Sequence, residues 1–564
     1  MKGSRHILFV LAGLVSYLPA ALCLAFIHHH AVNLPCGDEW DGTVPMLLRF
    51  ADGEMPWREI WQLDNEHRLV LPHLVQLALA ILTRYDNRAE LYVGWGCLVA
   101  ISAVFLRELL RQRSFAPETL LLMLPVNVAI FTLRQAENLI LAYQINVMMS
   151  VALALGSFAW LARPTPLRVG VALGLGVASL YSHALGLAVL PIGALLLALH
   201  VWASRDRRLA FALAGWGVVT AAALVAYFHG YEAPSYHPDP LRAVVHPARA
   251  AQFFFAALGT AWSVDATGAI GVGALLAAGY ARALFGPPHA DDRTLVRGAI
   301  LLSIACAVLV ALGRSGFEDL RMAIPHRYAT YATPGMAALF LYAVGRPRRD
   351  EVARHIAAAW CVLLAVLTPL ASVDAMSYAE TASAERRALS RAMSAHAGVT
   401  LERLEAIKPW MPLTILERAP HLERIGWSVY RDRPMRPALA SVATDRYSID
   451  VIDGAEVAPR APVRIDRAHG AIPIEGWALD PRLDAPASRL FVRVGGVRVV
   501  AQTGLTRNDV ARSAGDPRLT ASGFRALVPA AELGRGVHAV CLELPARDGD
   551  RGLLIATSAM LEVP

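Results

Sequence analysis

Long apolar runs recur along the first two-thirds of the chain, and short polar or charged segments separate them. Each run has roughly 20 residues, which is the length that an α-helix needs to cross a bilayer. The pattern therefore predicts an α-helical polytopic membrane protein with about eleven spans. The predicted spans are residues 7–27, 89–107, 115–133, 145–162, 167–181, 185–203, 208–228, 267–285, 295–312, 329–345 and 354–373.

The pattern changes after residue 375. A charged helix is predicted from 376 to 410, and from about residue 456 apolar and polar positions alternate between Gly and Asp turns. Residues 490–494 and 497–500 flank two glycines, and this spacing is typical of a β-hairpin. Several such strands in about 110 residues predict a small β-sandwich.

These patterns divide the chain into three predicted regions. Residues 1–375 form a transmembrane domain, whose outside loop at 28–88 carries an acidic motif. Residues 376–455 form a helical or mixed linker, and residues 456–564 form an extracytoplasmic β-sandwich domain. The first apolar run is too long for the core of a signal peptide, so we expect it to be retained as an anchor.

Composition and charge support a membrane location. The chain has 564 residues, is 55% hydrophobic and has a mean hydropathy of +0.42, which is too apolar for a soluble protein of this size. Much of its net charge of +7 lies in short basic loops, so orientation explains the charge better than nucleic-acid binding does. The positive-inside rule then places the N-terminus in the cytoplasm and the C-terminal domain outside an inner (cytoplasmic) membrane.

An acidic motif follows the first predicted span and consists of Asp38, Glu39 and Asp41. Clustered carboxylates repel one another, so that one of them can keep a raised pKa. Such a group suits general-base work on a hydroxyl, or the binding of a divalent cation near a phosphate. The same cluster is also typical of a solvated acidic turn, and charge alone does not separate these interpretations.

A second polar motif lies in the same outside loop and comprises Glu66, His67 and Arg68. These side chains are suited to sugar hydroxyls or to a phosphate. His67 is a second candidate base, because an unperturbed histidine titrates near neutrality. The alternative is that Arg68, which precedes an apolar segment, is a snorkelling anchor.

Amide side chains and one carboxylate form a third group between two predicted spans: Gln135, Glu137, Asn138 and Gln144. Amides have both donors and acceptors, as the recognition of sugar hydroxyls requires. The alternative is that they cap helices or join neighbouring helices by hydrogen bonds, as Asn and Gln often do in membranes.

Arginines dominate the fourth group, which comprises Arg314, Arg321, Arg327 and Tyr328. Arginine recognises phosphate bidentately, and a departing phosphate needs its charge stabilised. The alternative is pairing with nearby acidic side chains or with lipid headgroups. Four further residues on the same predicted side rank below these candidates: His183, His229, Tyr231 and His237.

A short acidic motif in the first outside loop, after one span and before many others, resembles the GT-C superfamily of integral membrane glycosyltransferases. The resemblance is architectural and covers roughly residues 1–375. It implies an inverting transfer of a sugar from a polyprenyl-phosphate donor to a glycan, lipid or protein acceptor on the outer face. It also implies Asp38, Glu39 or Asp41 as the catalytic base and, as in some members, a divalent cation such as Mg or Mn.

The remaining motifs, taken together, resemble those of an uncharacterised bacterial subgroup that is itself GT-C-like. Residues 475–480 resemble part of a small β-sandwich module found beside bacterial glycosyltransferases. Two other functions stay open. A polysaccharide polymerase or ligase would use the same lipid-linked substrates. A transporter or flippase would place polar residues at mid-membrane, whereas here they gather at the ends of the predicted spans.

Overall fold

The computed structural model describes residues 2–232, 238–286, 293–346, 350–394, 412–431, 439–442, 444–458, 461–465, 470–495, 497–545 and 552–564. His237 lies outside these residues, as do 395–411, 432–438 and 443 of the segment predicted as a linker. The chain falls into two compact units. The helical unit comprises Met1–Ala31, Trp57–Ala78 and Arg88–Ser383, and the mixed unit comprises Val32–Pro56, Leu79–Asn87 and Ala384–Pro564. The three regions predicted from the sequence have other bounds and stay a prediction.

Helices dominate the chain up to residue 394. They are α1 (Lys2–His30), α2 (Thr43–Ala51), α3 (Trp57–Trp61), α4 (Val70–Thr83), α5 (Arg88–Gln112), α6 (Pro117–Leu121), α7 (Met123–Ile130), α8 (Ala136–Ile140), α9 (Ile145–Leu161), α10 (Pro166–Leu180), α11 (Val189–Ser204), α12 (Arg207–Phe228), α13 (Leu241–Val245), α14 (Pro247–Gly259), α15 (Ala266–Phe285), α16 (Thr294–Arg314), α17 (Ala329–Val344) and α18 (Glu351–Ser394). Short 3-10 turns lie at Gly37–Trp40, Ala184–Ala188, Leu320–Ala323 and His326–Tyr328.

Within the described residues, nine helical segments are long and apolar enough to cross a membrane. They are His6–His30, Arg88–Gln112, Pro117–Ile140, Ala142–Leu161, Ala184–Ser204, Arg207–Phe228, Ala266–Phe285, Thr294–Arg314 and Glu351–Arg391. These segments confirm the helical membrane-protein class. The other two predicted spans correspond to α10 and α17, which have 15 and 16 residues. Both are shorter than a typical crossing helix, so the number of spans and their orientation stay predictions.

Small residues allow close helix packing in the helical unit. A side chain at Gly273 of α15 would begin 1.8 Å from the backbone oxygen of Phe255 in α14, and one at Gly259 would begin 2.0 Å from the oxygen of Ala269. Only glycine therefore fits at this crossing, as is common where helices pack in membranes. The crossing belongs to a unit whose core is formed by buried aliphatic and aromatic side chains.

A two-stranded hairpin lies between α3 and α4. Strand β1 (Leu63–Asp64) pairs antiparallel with β2 (His67–Arg68), with Asp64 opposite His67. Asn65 has a φ of 53°, a left-handed conformation that asparagine tolerates better than most residues and that tight hairpin turns require. The hairpin places Glu66 in the turn and His67 on the returning strand.

The C-terminal part of the mixed unit contains two β-sheets, together with α19 (Pro412–Ile425) and α20 (Asn508–Ala514). Its strands are β3 (Leu439–Val442), β4 (Tyr447–Ile452), β5 (Ala455–Glu456), β6 (Pro462–Arg464), β7 (Ala471–Asp480), β8 (Ala485–Pro486), β9 (Phe491–Val494), β10 (Val497–Val500), β11 (Gln502–Leu505), β12 (Gly523–Pro529), β13 (Gly536–Leu544) and β14 (Gly552–Val563). One sheet has the order β10-β9-β13-β14-β3, with β6 also on β14. The other has the order β11-β12-β7-β4-β5, with β8 also on β7.

The two sheets share one apolar core, which is the arrangement of a β-sandwich. Val492 and Leu542 of the first sheet belong to the same buried cluster as Ile474 and Phe524 of the second. Along β7 buried and half-buried positions alternate, as expected for a strand with one face in a core. The predicted hairpin is confirmed, because β9 pairs antiparallel with β10 and Val494 lies opposite Val497.

Candidate functional site

Polar side chains from distant segments of the helical unit meet around Tyr328. Arg314, at the end of α16, donates from Nε to the Tyr328 hydroxyl at 3.2 Å. Its Nη2 lies 3.6 Å from Oε1 of Glu66 in the β1–β2 turn. Arg314 is therefore held between a phenol and a carboxylate that are remote from it in sequence. We call the residues Glu66, His67, Glu137, His183, Arg314, Arg327 and Tyr328 the polar cluster.

A second arginine flanks the same tyrosine. Arg327 lies over the Tyr328 ring at 5.4 Å, and its Nη1 donates to Oε1 of Glu137 at 2.6 Å. Burial opposes the charge of Arg327, but Glu137 more than compensates and raises the pKa of the guanidinium above its ordinary range. The Arg327 side chain keeps 34% of its surface exposed, so a fixed positive charge remains accessible at this point.

Two histidines complete the cluster. The rings of His67 and His183 lie 4.1 Å apart with a tilt of 31°. The backbone N–H of Ala184 donates to Nδ1 of His67 at 3.3 Å, and the backbone N–H of Leu185 donates to Nδ1 of His183 at 3.2 Å. Burial, with smaller contributions from His67 and Arg327, lowers the pKa of His183 well below its usual value. Nε2 of His67 lies 3.8 Å from Oε1 of Glu66.

Buried amides form hydrogen bonds next to the cluster. Nδ2 of Asn138 donates to the backbone oxygen of Arg327 at 2.9 Å and to the Thr330 hydroxyl at 2.7 Å. That hydroxyl donates to Oε1 of Gln135 at 2.7 Å, and Gln135 is fully buried. These contacts match the helix-joining alternative for the amides, because they fix the backbone that carries Arg327. Gln144 lies at the start of α9 and is half-buried.

Arg68 anchors the hairpin that carries Glu66. Its guanidinium donates to the backbone oxygen of Tyr227 at 2.5 Å, to that of Trp61 at 2.7 Å and to that of His229. The Tyr227 hydroxyl in turn donates to the backbone oxygen of Glu66 at 2.9 Å. Arg68 is buried, so it holds the loop through backbone oxygens. Its role in substrate binding stays a prediction.

Arg321 differs from the other two arginines of its group. Its side chain is 82% exposed, and it pairs with the neighbouring Asp319 at 2.9 Å. Asp319 also caps the 3-10 turn that contains Arg321. An exposed local pair of this kind is typical of a surface turn, and such pairs contribute little to stability.

A second polar group lies near Arg327, and no motif in the sequence marks it. Asp374 lies 3.4 Å from Nη1 of Arg134 and 3.4 Å from Nε2 of His326, whose ring stacks on Tyr378 at 4.5 Å. Burial and the neighbouring Arg134 lower the pKa of His326 to about 4. Asp374 falls just beyond an apolar run with no motif around it, so no local pattern marks it. His183 ranks low on sequence alone, because a single histidine at the end of a span is more often structural.

The acidic motif lies in the mixed unit and contains three different environments. Glu39 is 1% exposed and accepts hydrogen bonds from Cys36 N at 2.8 Å, Tyr85 Oη at 3.2 Å and Asn87 Nδ2 at 2.7 Å. Burial raises the pKa of Glu39 to about 7, although these bonds lower it in part. Together with Cys36 it forms a capping box on the 3-10 turn, so Glu39 orders this loop.

The other two carboxylates of the motif reach the surface. Asp38 is exposed, and its backbone oxygen accepts from the N–H of Asp41 at 3.0 Å. The Asp41 carboxylate lies 3.1 Å from Nη1 of Arg418. Among the residues that the structure describes, no group of three or more His, Cys, Asp or Glu side chains has the geometry of a metal site. Of the motif, Asp38 and Asp41 are therefore the carboxylates that are accessible to a substrate.

Comparison with protein-family models, with curated proteins and with solved structures gives no significant match to this chain. A fold alone does not define an activity, because unrelated functions occur on one architecture. The function must therefore be inferred from the chemistry of the residues themselves.

Proposed function

We propose that this protein is an integral membrane glycosyltransferase of the GT-C kind. It transfers a sugar from a polyprenyl-phosphate donor to a glycan, lipid or protein acceptor on the extracytoplasmic face, with inversion at the anomeric carbon. The observation that supports the proposal is the polar cluster, in which two arginines contact one tyrosine beside two carboxylates and two imidazoles. The C-terminal β-sandwich is then an extracytoplasmic domain, and the N-terminus is cytoplasmic.

The arginines fit the departing phosphate. A guanidinium carries five N–H donors, and the bond to Tyr328 uses one of those of Arg314. Arg314 donates to the hydroxyl of Tyr328 and Arg327 lies over its ring, and in this proposal both guanidinium groups donate to one phosphate. Donors fixed in a partly buried site stabilise charge that develops as a bond breaks, because they need little reorganisation.

The proton of the acceptor goes to a carboxylate of the first outside loop. As the acceptor oxygen bonds to the anomeric carbon, its proton passes to this carboxylate. The bond from the anomeric carbon to the phosphate oxygen breaks, and its electron pair leaves with the phosphate. Asp38 and Asp41 are the exposed carboxylates of the acidic motif, and Glu66 is a carboxylate of the polar cluster. The proposal admits any of these three as the base.

Energetic cost favours a functional role for the cluster. Charged side chains within membrane spans are expensive to maintain, so they often serve binding or catalysis. Arg314 ends an apolar helix, and Glu137 lies within a candidate span. A structural role alone would be met by an apolar contact of similar size. A polymerase or ligase would use the same donor chemistry and differ only in its acceptor.

The test is sugar transfer in membranes that contain the protein, with labelled polyprenyl-phosphate sugars and cell extract as the source of acceptors. Arg314→Lys and Arg327→Lys keep the charge but lose bidentate geometry, and we expect transfer to fall about 10²-fold. Arg321→Lys is the matched control, since Arg321 lies on an exposed turn, and it should transfer normally. Asp38→Asn, Asp41→Asn and Glu66→Gln identify the base, because only one of them should abolish transfer at equal protein level.

Two results would contradict the proposal. Lipid-linked sugar that crosses a vesicle membrane without being consumed would indicate a flippase. Wild-type membranes that transfer no sugar from any polyprenyl-phosphate donor, across glycan, lipid and protein acceptors, would exclude the transferase.

A further inference from the structure

A surface cleft of about 600 Å³ lies in the C-terminal part of the mixed unit. One side of it is a face of α20, since residues 508, 511, 512 and 515 are three or four positions apart in the helix. The other side is the 3-10 turn Pro517–Ala521. The residues that line it are Asn508, Ala511, Arg512, Gly515, Pro517 and Thr520. This volume falls within the range of about 300–1,000 Å³ that is typical of small-molecule sites, and the proposed transfer chemistry does not use the cleft.

Packing and backbone hydrogen bonds fix the two sides of the cleft. Ala511 is buried and belongs to the same small apolar cluster as Leu519 of the turn. The N–H of Arg507 donates to the backbone oxygen of Thr520 at 2.7 Å, and the N–H of Asp516 donates to that of Ala511 at 3.1 Å. The cleft is therefore part of the folded domain, so that a ligand binds there without first having to order its walls.

Arg512 supplies a positive charge to the cleft. Its side chain is exposed, and among the residues that the structure describes no carboxylate pairs with it. The neighbouring Arg507 and Arg518 differ, because each pairs with aspartates at 2.5–2.7 Å. Nε of Arg512 donates to the backbone oxygen of Asn508 at 3.1 Å, which leaves the N–H groups on both Nη atoms for a ligand.

An amide and a hydroxyl add neutral polar groups to the same cleft. Asn508 is exposed, and its side chain has no hydrogen-bond partner in the described part of the chain. The Thr520 hydroxyl donates to the backbone oxygen of Pro517 at 2.8 Å, so its lone pairs can still accept. Ala511 and Pro517 provide apolar surface between these groups. A guanidinium matches a carboxylate, and amides and hydroxyls match sugar hydroxyls.

We propose that this cleft binds an acidic saccharide, with Arg512 on the carboxylate and Asn508 and Thr520 on the ring hydroxyls. The inference rests on the proposed function for the source of the saccharide, and it specifies the acceptor as a glycan that contains a uronate. A neutral saccharide would leave the Arg512 charge without a partner. A small inorganic anion would leave the amide and the hydroxyl unused.

The test is the binding of disaccharides to the full-length protein in nanodiscs, measured by saturation-transfer difference NMR. The probes are disaccharides that contain glucuronate, galacturonate or mannuronate, each with its neutral hexose counterpart, and inorganic phosphate is the competitor. At least one acidic disaccharide should bind about 10-fold more tightly than its neutral counterpart, as expected from one charge-assisted hydrogen bond. The preference should shrink as the salt concentration rises, because Arg512 is exposed to solvent.

Substitutions in the cleft separate the roles of its residues. Arg512→Gln removes the charge, so the acidic and the neutral disaccharide should bind equally, whereas Arg512→Lys keeps the charge and should retain part of the preference. Arg535→Gln is the matched control, because Arg535 is an exposed arginine of the same domain outside the cleft, and it should keep the full preference. Asn508→Ala should weaken both disaccharides to the same extent. Thermal unfolding checks that each variant is folded.

Three results would overturn the inference. The first is a wild type that prefers no acidic disaccharide over its neutral counterpart. The second is a preference that survives in Arg512→Gln. The third is inorganic phosphate that displaces the acidic disaccharide at equal concentration, which would indicate a site for simple anions.

The binding result does not depend on catalysis. If membranes transfer no sugar while binding that requires Arg512 persists, the proposed function fails and the cleft remains a saccharide site. If transfer occurs and no acidic disaccharide binds, only the inference about the cleft fails.

Discussion

The ion pair between Glu137 and Arg327 offers the sharpest test of how the cluster is organised. Glu137→Gln removes the charge but keeps the size of the side chain and one acceptor oxygen. The bond that it weakens joins Nη1 and Oε1 at 2.6 Å, with side-chain exposures of 34% for Arg327 and 13% for Glu137. Because the pair is only partly screened, we take the value of a charge-assisted hydrogen bond, about 2 kcal/mol. That energy corresponds to about a 30-fold change in the equilibrium between the bound and the released positions of the Arg327 side chain.

Sugar transfer measured at limiting donor concentration reports this change. We expect the KM for the polyprenyl-phosphate sugar to rise by up to about 30-fold in Glu137→Gln, with a smaller loss in kcat. Glu137→Asp keeps the charge but shortens the side chain, so its effect should lie between those of the wild type and Glu137→Gln. Glu318→Gln is the matched control because Glu318 is exposed, and it should leave both constants unchanged.

One result would refute the reasoning. If Glu137→Gln transfers normally while Arg327→Gln is inactive, then the ion pair does not position the guanidinium. The backbone bond from Asn138 to the Arg327 oxygen would then be sufficient to hold it.

Three further predictions concern stability. Arg498→Met removes the guanidinium that lies 2.6 Å from each of two buried glutamates, which should cost about 3–5 kcal/mol. Amide exchange in β13 should then speed up roughly 10²- to 10⁴-fold, whereas Arg525→Met, at a half-buried position, should change it little. Burial raises the pKa of Glu39 from 4.5 to about 7. The protonated side chain therefore contributes to the stability of the folded state fully below about pH 4.5, and this contribution is lost as the pH rises through 7. Thermal unfolding should show that loss in the wild type and not in Glu39→Gln. Gly273→Ala would place a methyl group 1.8 Å from a backbone oxygen of α14, so it should lower the yield of folded protein in size-exclusion chromatography. Gly271→Ala is the control, because its methyl group would meet nothing within 4 Å, and it should fold normally.

The sequence by itself determined the membrane class, most helices and the β-hairpin. These features depend on local periodicity, since a long apolar run favours a spanning helix and alternation with a Gly turn favours paired strands. Nine of the predicted spans match long apolar helices among the described residues. The same local patterns also placed most of the polar candidates at the ends of these helices.

Only the tertiary structure decided which of those candidates meet. Glu66 and Arg314 are distant in sequence, and helix packing brings them within 3.6 Å. The carboxylates of the acidic motif look alike in sequence, yet Glu39 is buried in a capping box and Asp38 is exposed. Burial and hydrogen-bond partners come from segments far along the chain, so no local pattern separates them.

His67 also shows that tertiary structure decides the surroundings of a candidate residue. The sequence offers His67 as a base because free imidazole titrates near neutrality. In the folded chain its Nδ1 accepts from the N–H of Ala184, which a distant turn supplies. The sequence therefore determined which residue types gather at the ends of the spans. The packing of the chain decided which of them touch, which are buried and which can carry a proton, because these properties depend on neighbours that the local sequence does not specify.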